Sequence, residues 1–236
     1  MLKAIFFDLD GTLLPMNENK FMEIYFHYLT KRMESLGYQK DELIKVIWDG
    51  TKAMYQNDGS MTNEEAFWLF FAKHYGEEKL VDKAFLNDYY LNEFKNTSKA
   101  CMDNSYAKEI VNFCKDNNLK VILSTNPIFP KVATTTRMAY VGLDENDFDF
   151  ITAYENSSFT KPNPMYFKML LEKFNLKPEE VILFGNNTYE DGECALACGI
   201  KCYLVGDCLI KDTHSSHEFM HIKMEEVIPT IKSFLK

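Results

Sequence analysis

Two aspartates that stand two positions apart carry the first chemical signature in the chain. Asp8 and Asp10 follow the apolar run Lys3–Phe7, which has the pattern of a buried strand. In an extended chain, side chains at i and i+2 point to the same side, so both carboxyls would face one cleft. One carboxylate can act as an oxygen nucleophile, and the other can donate a proton to a leaving group and later take one from water. Gly11 would let the backbone approach a ligand closely.

The same aspartates could instead open a calcium-binding loop, because Asp-x-Asp-Gly is also how an EF-hand loop begins. Leu13 and Leu14 stand where that loop would need oxygen ligands. A buried strand, and not a helix, precedes the motif. The context therefore favours catalysis over calcium binding.

Three further groups of polar residues follow predicted strands. Ser124-Thr125-Asn126 can donate hydrogen bonds to an anion, and Lys161 before Pro162 can neutralise phosphate charge or hold the nucleophile. The third group runs from Gly185 to Asp191. Each group alone is also typical of a turn or a helix start. Together, at the carboxyl ends of the strands where α/β sheets bind ligands, they predict an anion site.

Short runs that are apolar on both faces alternate with helical patterns along the chain, which predicts an α/β fold with a mainly parallel, Rossmann-like sheet. At least five strands are expected, at Lys3–Phe7, Lys120–Leu123, Asp149–Thr152, Val181–Phe184 and Lys201–Val205. A helix near Asp103–Asn117 would cover the sheet. The sheet would bring the four polar groups to one edge.

More than 100 residues without a convincing strand separate the first two strands, which is far more than one crossover needs. We predict an all-helical cap at 16–97 on an α/β core made of 1–15 and 98–236, with hinges near Pro15 and Asn96–Ala100. The helices are expected near Asn17–Ser35, Lys40–Gln56, Thr62–Tyr75 and Glu77–Phe94. An aromatic stripe would form mostly the core of the cap, with one or two members facing a substrate: Phe21, Tyr25, Tyr28, Phe67, Trp68, Phe70, Phe71 and Tyr75.

Composition narrows the possible partners. The 236 residues are 46% hydrophobic and 26% charged, with a formal net charge of −9. An acidic chain offers no basic surface for a nucleic acid polymer or an anionic membrane. No apolar run reaches the roughly 20 residues that span a bilayer, and acids stand where a secretory signal would be apolar. The expectation is a cytoplasmic protein.

Two other patterns could bind a metal. Cys194, Cys198 and Cys202 recur every four residues, but Gly199 should end their helix, and we interpret all six cysteines as reduced. Three histidines lie near Cys208 after the last predicted strand: His214, His217 and His221. Their spacing lacks the paired cysteines of a zinc site, so a solvated loop and helix start is predicted.

Taken in order, the four polar groups resemble the motifs of the haloacid dehalogenase-like superfamily. The first motif is Phe7-Asp8-Leu9-Asp10-Gly11-Thr12-Leu13 and the second is Leu123-Ser124-Thr125-Asn126. The third is Lys161-Pro162-Asn163-Pro164, and the fourth runs from Leu183 to Asp191, with Ala195 and Gly199 behind it. The resemblance covers nearly the whole chain, and it implies that the helical insert is a C1-type cap.

The resemblance also implies roles for single residues. Asp8 would be the nucleophile that forms a phosphoaspartate, Asp10 the general acid and base, and Lys161 the third-motif lysine. Substrate phosphate would bind at Thr125, Asn126 and Gly11. Mg²⁺ would be held by Asp8, the backbone carbonyl of Asp10, Asn186 and Asp191.

One position departs from the family pattern. The fourth motif normally opens with Gly-Asp, but this chain has Gly185-Asn186, which removes a charge from the expected Mg²⁺ site and predicts weaker metal binding. The resulting hypothesis is a Mg²⁺-dependent phosphatase that acts on a small phosphorylated metabolite. The alternatives are a phosphomutase or another phosphoryl-transfer member of the superfamily, and a non-catalytic binding protein weakened at the metal site by Asn186. A monomer and a small homo-oligomer are equally compatible with the sequence.

Overall fold

The computed structural model of the protein describes residues 1–235, and a six-stranded, entirely parallel sheet lies at its centre. Its spatial order is β3-β2-β1-β4-β5-β6. The strands are β1 (Ala4–Phe7), β2 (Lys120–Leu123), β3 (Phe150–Ile151), β4 (Val181–Gly185), β5 (Lys201–Val205) and β6 (His221–Ile222). The predicted α/β fold with a parallel sheet is confirmed.

Strand β1 lies in the middle of the sheet and is buried on both faces. Ile5 and Phe7 pack into one apolar cluster with helix α5 (Tyr106–Asp116), whereas Phe6 packs into the opposite cluster with Phe167. The other helices around the sheet are α6 (Lys131–Ala139), α7 (Met165–Phe174), α8 (Cys194–Ala197) and α9 (Val227–Phe234). Because apolar side chains cover both faces, the polar residues after the strands are confined to the sheet edge.

Between β1 and β2 the chain forms a helical insert. Its helices are α1 (Glu18–Met33), α2 (Lys40–Tyr55), α3 (Asn63–Tyr75) and α4 (Lys83–Leu91), with 3₁₀ helices at Glu34–Leu36, Glu77–Asp82 and Glu93–Ala100. The prediction of a single helix near Glu77–Phe94 was wrong. The chain is 3₁₀-helical up to Asp82, and Asn92 leaves the helical conformation with φ −117° and ψ −85°.

The two chain segments that join the insert to the sheet lie side by side. The Asn17 amide donates to the Ala100 carbonyl at 2.9 Å, and the Met102 amide donates to the Pro15 carbonyl at 2.8 Å. These are the segments in which the sequence predicts hinges. The division into a cap at 16–97 and a core stays a prediction.

The insert also contacts the loop after β3 through the start of α3. The Asn63 amide donates to the Ser157 carbonyl at 2.8 Å, and the Glu64 amide donates to the Tyr154 carbonyl at 2.9 Å. The Asn63 side chain is fully buried and donates to the Pro127 carbonyl at 3.1 Å. Helix α3 therefore uses its first free amides to fasten the insert over the carboxyl edge of the sheet.

After β5, His214 and His217 lie in an exposed loop as predicted, but His221 lies in a strand that was not predicted. His221 and Ile222 form the edge strand β6, which pairs with Leu204 and Val205. Strand β6 is hard to predict because it has only two residues and one of them is exposed. The three histidines in this region bond to separate partners: His214 to Asp212, His217 to Glu193, and His221 to the Gly206 carbonyl.

Within residues 1–235, no helix combines the length and the apolar character needed to cross a membrane.

Candidate active site

A buried lysine joins two carboxylates at the carboxyl edge of the sheet. The Lys161 Nζ atom lies 2.8 Å from Asp8 Oδ1 and 2.6 Å from Asp191 Oδ1. All three side chains are at most 8% exposed. Residues from three distant parts of the chain therefore meet at one point, as their predicted positions after three strands require.

Each carboxylate is also held by its own strand end. The Asp8 amide continues the ladder by donating to the Phe184 carbonyl at 2.9 Å, and the Thr12 hydroxyl donates to Asp8 Oδ2 at 3.2 Å. Asp191 lies in a short π-helix, Thr188–Glu193. Its Oδ2 accepts the amides of Asn186 and Asn187 at 3.0 and 3.1 Å. Backbone amides therefore position the Asp191 carboxylate, whereas the Thr12 hydroxyl positions that of Asp8.

Burial controls the ionisation of this cluster. Removal from water raises the pKa of the Asp8 carboxyl to about 7, although the Lys161 ammonium opposes the change. Burial alone would lower the pKa of Lys161, but the carboxylates of Asp191 and Asp8 outweigh it and hold that pKa well above its ordinary value. Lys161 is therefore a permanent cation near neutral pH.

Asn186 and Gly11 contact each other beside the two acids. The Asn186 side-chain amide donates to the Cys208 carbonyl at 2.9 Å, which fixes its orientation. Gly11 has a φ of +81°, and a Cβ there would collide with the Asn186 amide nitrogen. Asn186 lines the cavity described below, whereas Gly11 is not among the described residues that line it. Glycine is thus needed at position 11 by the turn and by Asn186.

Thr125 and Asn126 follow β2 and lie on the opposite wall. Thr125 is buried and lines the cavity. The Asn126 side chain donates to the Lys161 carbonyl at 3.2 Å and accepts the Lys161 amide at 3.2 Å. Asn126 thereby fixes the backbone that carries the bridging lysine.

Sequence reasoning missed a contact between the insert and the sheet edge. Tyr55, the last residue of α2, donates its hydroxyl to Glu190 Oε1 at 3.2 Å and accepts the Asn126 amide at 3.1 Å. Burial raises the pKa of Glu190, and burial with the Glu190 charge raises the pKa of Tyr55. Trp48 and Tyr55 lie at helical spacing on α2, outside the face that packs into the core of the insert. Two aromatic residues at this spacing are the sequence pattern that could have indicated a contact with the site.

The second aspartate of the first motif faces a cation that the sequence analysis did not single out. Arg137 Nε lies 3.0 Å from Asp10 Oδ1, yet its N–H is not aimed well enough for a hydrogen bond. Arg137 is fully buried, and its guanidinium lies over the Phe129 ring at 4.6 Å. It shares the buried face of α6 with Ala133 and Met138, so helical periodicity could have indicated its burial.

The acids open into a cavity of about 270 Å³ between the sheet edge and the insert. Five carboxylates line it: Asp8, Asp10, Glu18, Glu190 and Asp191. Lys161 is the one cationic side chain among the described residues that line it. Because negative charge is in excess, a phosphate dianion would be repelled unless a further cation joined it.

The described residues contain no group of three or more His, Cys, Asp or Glu side chains arranged to hold a metal ion. Asp8, Asp191 and Asn186 are among the residues that line the cavity, and each carries oxygen donors. Oxygen donors suit a hard divalent cation such as Mg²⁺. The donor type therefore fits Mg²⁺, with fewer charges than a site with three carboxylates would offer.

Comparison with known proteins identifies the class. Residues 5–205 match the model of the haloacid dehalogenase-like hydrolase family, and the chain belongs to that family. It is similar, at 24% identity, to a phosphorylated carbohydrates phosphatase of Thermotoga maritima, with 85% of this chain and 83% of the relative covered. It is 23% identical to a ribulose-1,5-bisphosphate 5-phosphatase of Halopiger xanaduensis, over 86% and 84% of the two chains.

The solved structures agree on the fold. A HAD phosphatase from Thermococcus onnurineus superposes with a TM-score of 0.60 at 18% identity, covering 98% of each chain. The resemblance inferred from the four motifs is therefore confirmed at the level of the family.

Replacing Lys161 with methionine should destabilise the protein in a pH-dependent way. Two buried carboxylates would lose their shared cation, which typically costs about 3–5 kcal/mol. The loss should be largest above the Asp8 pKa of about 7 and smaller below it, since protonation then removes one of the two charges. The free energy of unfolding in urea, measured at one pH below the Asp8 pKa and at one pH above it, gives this loss. Lys168→Met, at an exposed position, is the control, and equal losses at both pH values would contradict the expectation.

Replacing Arg137 with methionine should leave stability unchanged or raise it by about 1–2 kcal/mol. Within residues 1–235, none of the three guanidinium nitrogens has a hydrogen-bond partner, so the buried charge is costly. The Asp10 Oδ1 atom that faces Arg137 is buried, but the Asp10 side chain as a whole is 30% exposed, so the carboxylate would keep contact with water through its other atoms. Arg32→Met is the contrasting control, since Arg32 bonds to Glu93 and Asp88 and its loss should be destabilising. A clear decrease in the Arg137→Met unfolding free energy would refute the interpretation.

Proposed function

We propose that this protein is a Mg²⁺-dependent phosphatase that hydrolyses a small phosphate monoester through a phosphoaspartate at Asp8. The observation that carries the proposal is the Lys161 ammonium between Asp8 and Asp191, at the floor of a cavity large enough for a small ester. Membership of the hydrolase family and the phosphatase names of the two relatives support it.

In the proposed reaction, an Asp8 carboxylate oxygen attacks phosphorus in line with the ester oxygen. The bond from phosphorus to the ester oxygen breaks as the bond to Asp8 forms, and Asp10 donates a proton to the departing alkoxide. Lys161 and the Thr125 hydroxyl stabilise charge on the other phosphoryl oxygens, which supplies most of the catalysis in such transfers.

The second half of the reaction regenerates the enzyme. Asp10, now ionised, takes a proton from a water molecule that attacks the acyl phosphate, releasing inorganic phosphate and restoring the Asp8 carboxylate. The Tyr55–Glu190 contact would keep the insert over the site and limit entry of bulk water.

Mg²⁺ would bind to Asp8, Asp191, the Asn186 amide oxygen and the Asp10 backbone carbonyl. When bound, it would supply the positive charge that five carboxylates and one lysine do not provide for a phosphate dianion. Asn186 brings an oxygen without a charge, so the affinity should be low.

Changing Asp8 to asparagine should abolish phosphate release while the protein stays folded. Activity should be lost because the amide cannot form the acyl phosphate. The fold should persist because the amide replaces a buried carboxyl whose ionisation is unfavourable. Release of inorganic phosphate from a panel of small esters, with circular dichroism as the check on folding, measures the outcome. Asp116→Asn, at an exposed position in α5, is the matched control. Residual turnover in a folded Asp8→Asn protein would refute the nucleophile assignment, and isomerised product without phosphate release would indicate a phosphomutase.

Changing Asn186 to aspartate should lower the Mg²⁺ concentration for half-maximal activity by about tenfold, because it adds a charged ligand. The same change should lower the unfolding free energy in metal-free buffer, since the bond to the Cys208 carbonyl becomes a repulsion. Activity and urea unfolding across a Mg²⁺ titration test both effects. If the native protein were inactive at every Mg²⁺ concentration and the variant active, the chain would be a binding protein.

A further inference from the structure

A second cavity opens beside the one that contains Asp8. It has a volume of about 90 Å³ and lies between helices α1 and α2 of the insert and the segment after β2. Four residues line both cavities: Met22, Trp48, Ile128 and Phe129. A group attached to phosphorus at Asp8 would pass these shared residues to enter the second cavity, which we call the side pocket.

The side pocket is uncharged. Every described residue that lines it is apolar, aromatic or a hydroxyl residue. The hydroxyls that the structure pairs are used within the protein: Tyr25 bonds to Tyr90 at 3.1 Å, and Thr51 donates to the Ile47 carbonyl at 2.9 Å. Burial raises the pKa of Tyr25 to about 12, so this hydroxyl stays neutral. A polyhydroxylated group would lose its water partners here without replacing them.

The charge at the entrance argues against a second phosphate. Lys161 is occupied by two carboxylates, and Glu18 and Glu190 line the cavity that leads to the side pocket. Arg137 lies against the Phe129 ring, and neither cavity is lined by it. A bisphosphate would therefore carry its second dianion into an uncharged or acidic region.

We infer that the side pocket binds the leaving group of the substrate, and that this group is small, uncharged and apolar, either a single ring or a short branched chain. An engineered apolar cavity of about 150 Å³ binds benzene. The side pocket is smaller, at about 90 Å³, but it shares four lining residues with the larger cavity, so a single ring would occupy it together with that junction. This inference rests on the proposed phosphatase function. It separates this chain from the two relatives, whose names refer to phosphorylated carbohydrates and a bisphosphate.

The test compares three esters of primary alcohols, so that leaving-group reactivity is similar: benzyl phosphate, ethyl phosphate and glucose 6-phosphate. With Mg²⁺ present, kcat/KM for benzyl phosphate should exceed that for each of the others by about tenfold or more, the usual value of burying one ring. Equal or better turnover of glucose 6-phosphate would overturn the inference and leave the phosphatase proposal intact.

Two variants of Thr51 localise the effect. Thr51→Asn adds polar atoms to the side pocket and should lower kcat/KM for benzyl phosphate by about tenfold without affecting ethyl phosphate. Thr51→Val should preserve or raise kcat/KM for benzyl phosphate. The matched control is Thr230→Asn in α9, where the hydroxyl likewise donates to the carbonyl four residues earlier. Parallel loss on both esters in the Thr51→Asn protein would overturn the assignment.

Binding of the free alcohol separates the inference from the proposed function. Benzyl alcohol should bind saturably to the native protein, change the fluorescence of Trp48, and bind more weakly to Thr51→Asn. If no ester were hydrolysed, the proposed function would fail. The binding measurement would still test whether the side pocket accepts an apolar group. Absence of saturable binding would overturn the inference.

Discussion

The ion pairs of Lys161 with Asp8 and Asp191 are the constraint on which the site depends. A buried ammonium is stable here only because two carboxylates lie within 2.8 Å of it, and each carboxylate is in turn held by backbone amides or by a neighbouring hydroxyl. The strand order brings the ends of β1 and β4 together, so the cluster forms only in the folded sheet. Burial raises the pKa of Asp8, whereas the carboxylates of Asp191 and Asp8 keep Lys161 protonated against the burial that would lower its pKa.

The helical insert completes the site from the other side. It contributes Tyr55 to the polar wall and Trp48 to the junction of the two cavities. The backbone amide of Asn63 holds it to the loop after β3, and the buried Asn63 side chain holds it to the segment after β2. Most of the charged side chains of the site lie at the sheet edge, whereas the insert adds Glu18, Tyr55 and mainly aromatic surface. Under the proposed function, one cavity would hold the phosphoryl group and the adjoining one would bind the group attached to it.

Much of this arrangement could be predicted from local sequence patterns. The apolar runs at β1, β2, β4 and β5 are strong because those strands are almost wholly buried, and the polar residues after them could only lie at one edge. Strand β6 could not be predicted because its two residues are too few to show a periodic pattern. The end of the helix at Asn92 could not be predicted because it depends on the backbone conformation of one residue. The contacts of Arg137 and Tyr55 could not be predicted, since each depends on how a helix packs against a distant strand end. The roles of the site residues, including Mg²⁺ binding at Asn186, stay predictions.

The most direct test of the account is to trap the phosphorylated protein. Acid quenching during turnover of a small phosphate ester, followed by reduction of the acyl phosphate and peptide mass spectrometry, locates the modified residue. The account predicts modification at Asp8, absent from the Asp8→Asn protein. Hydrolysis without modification of Asp8, or with modification of another residue instead, would contradict the account.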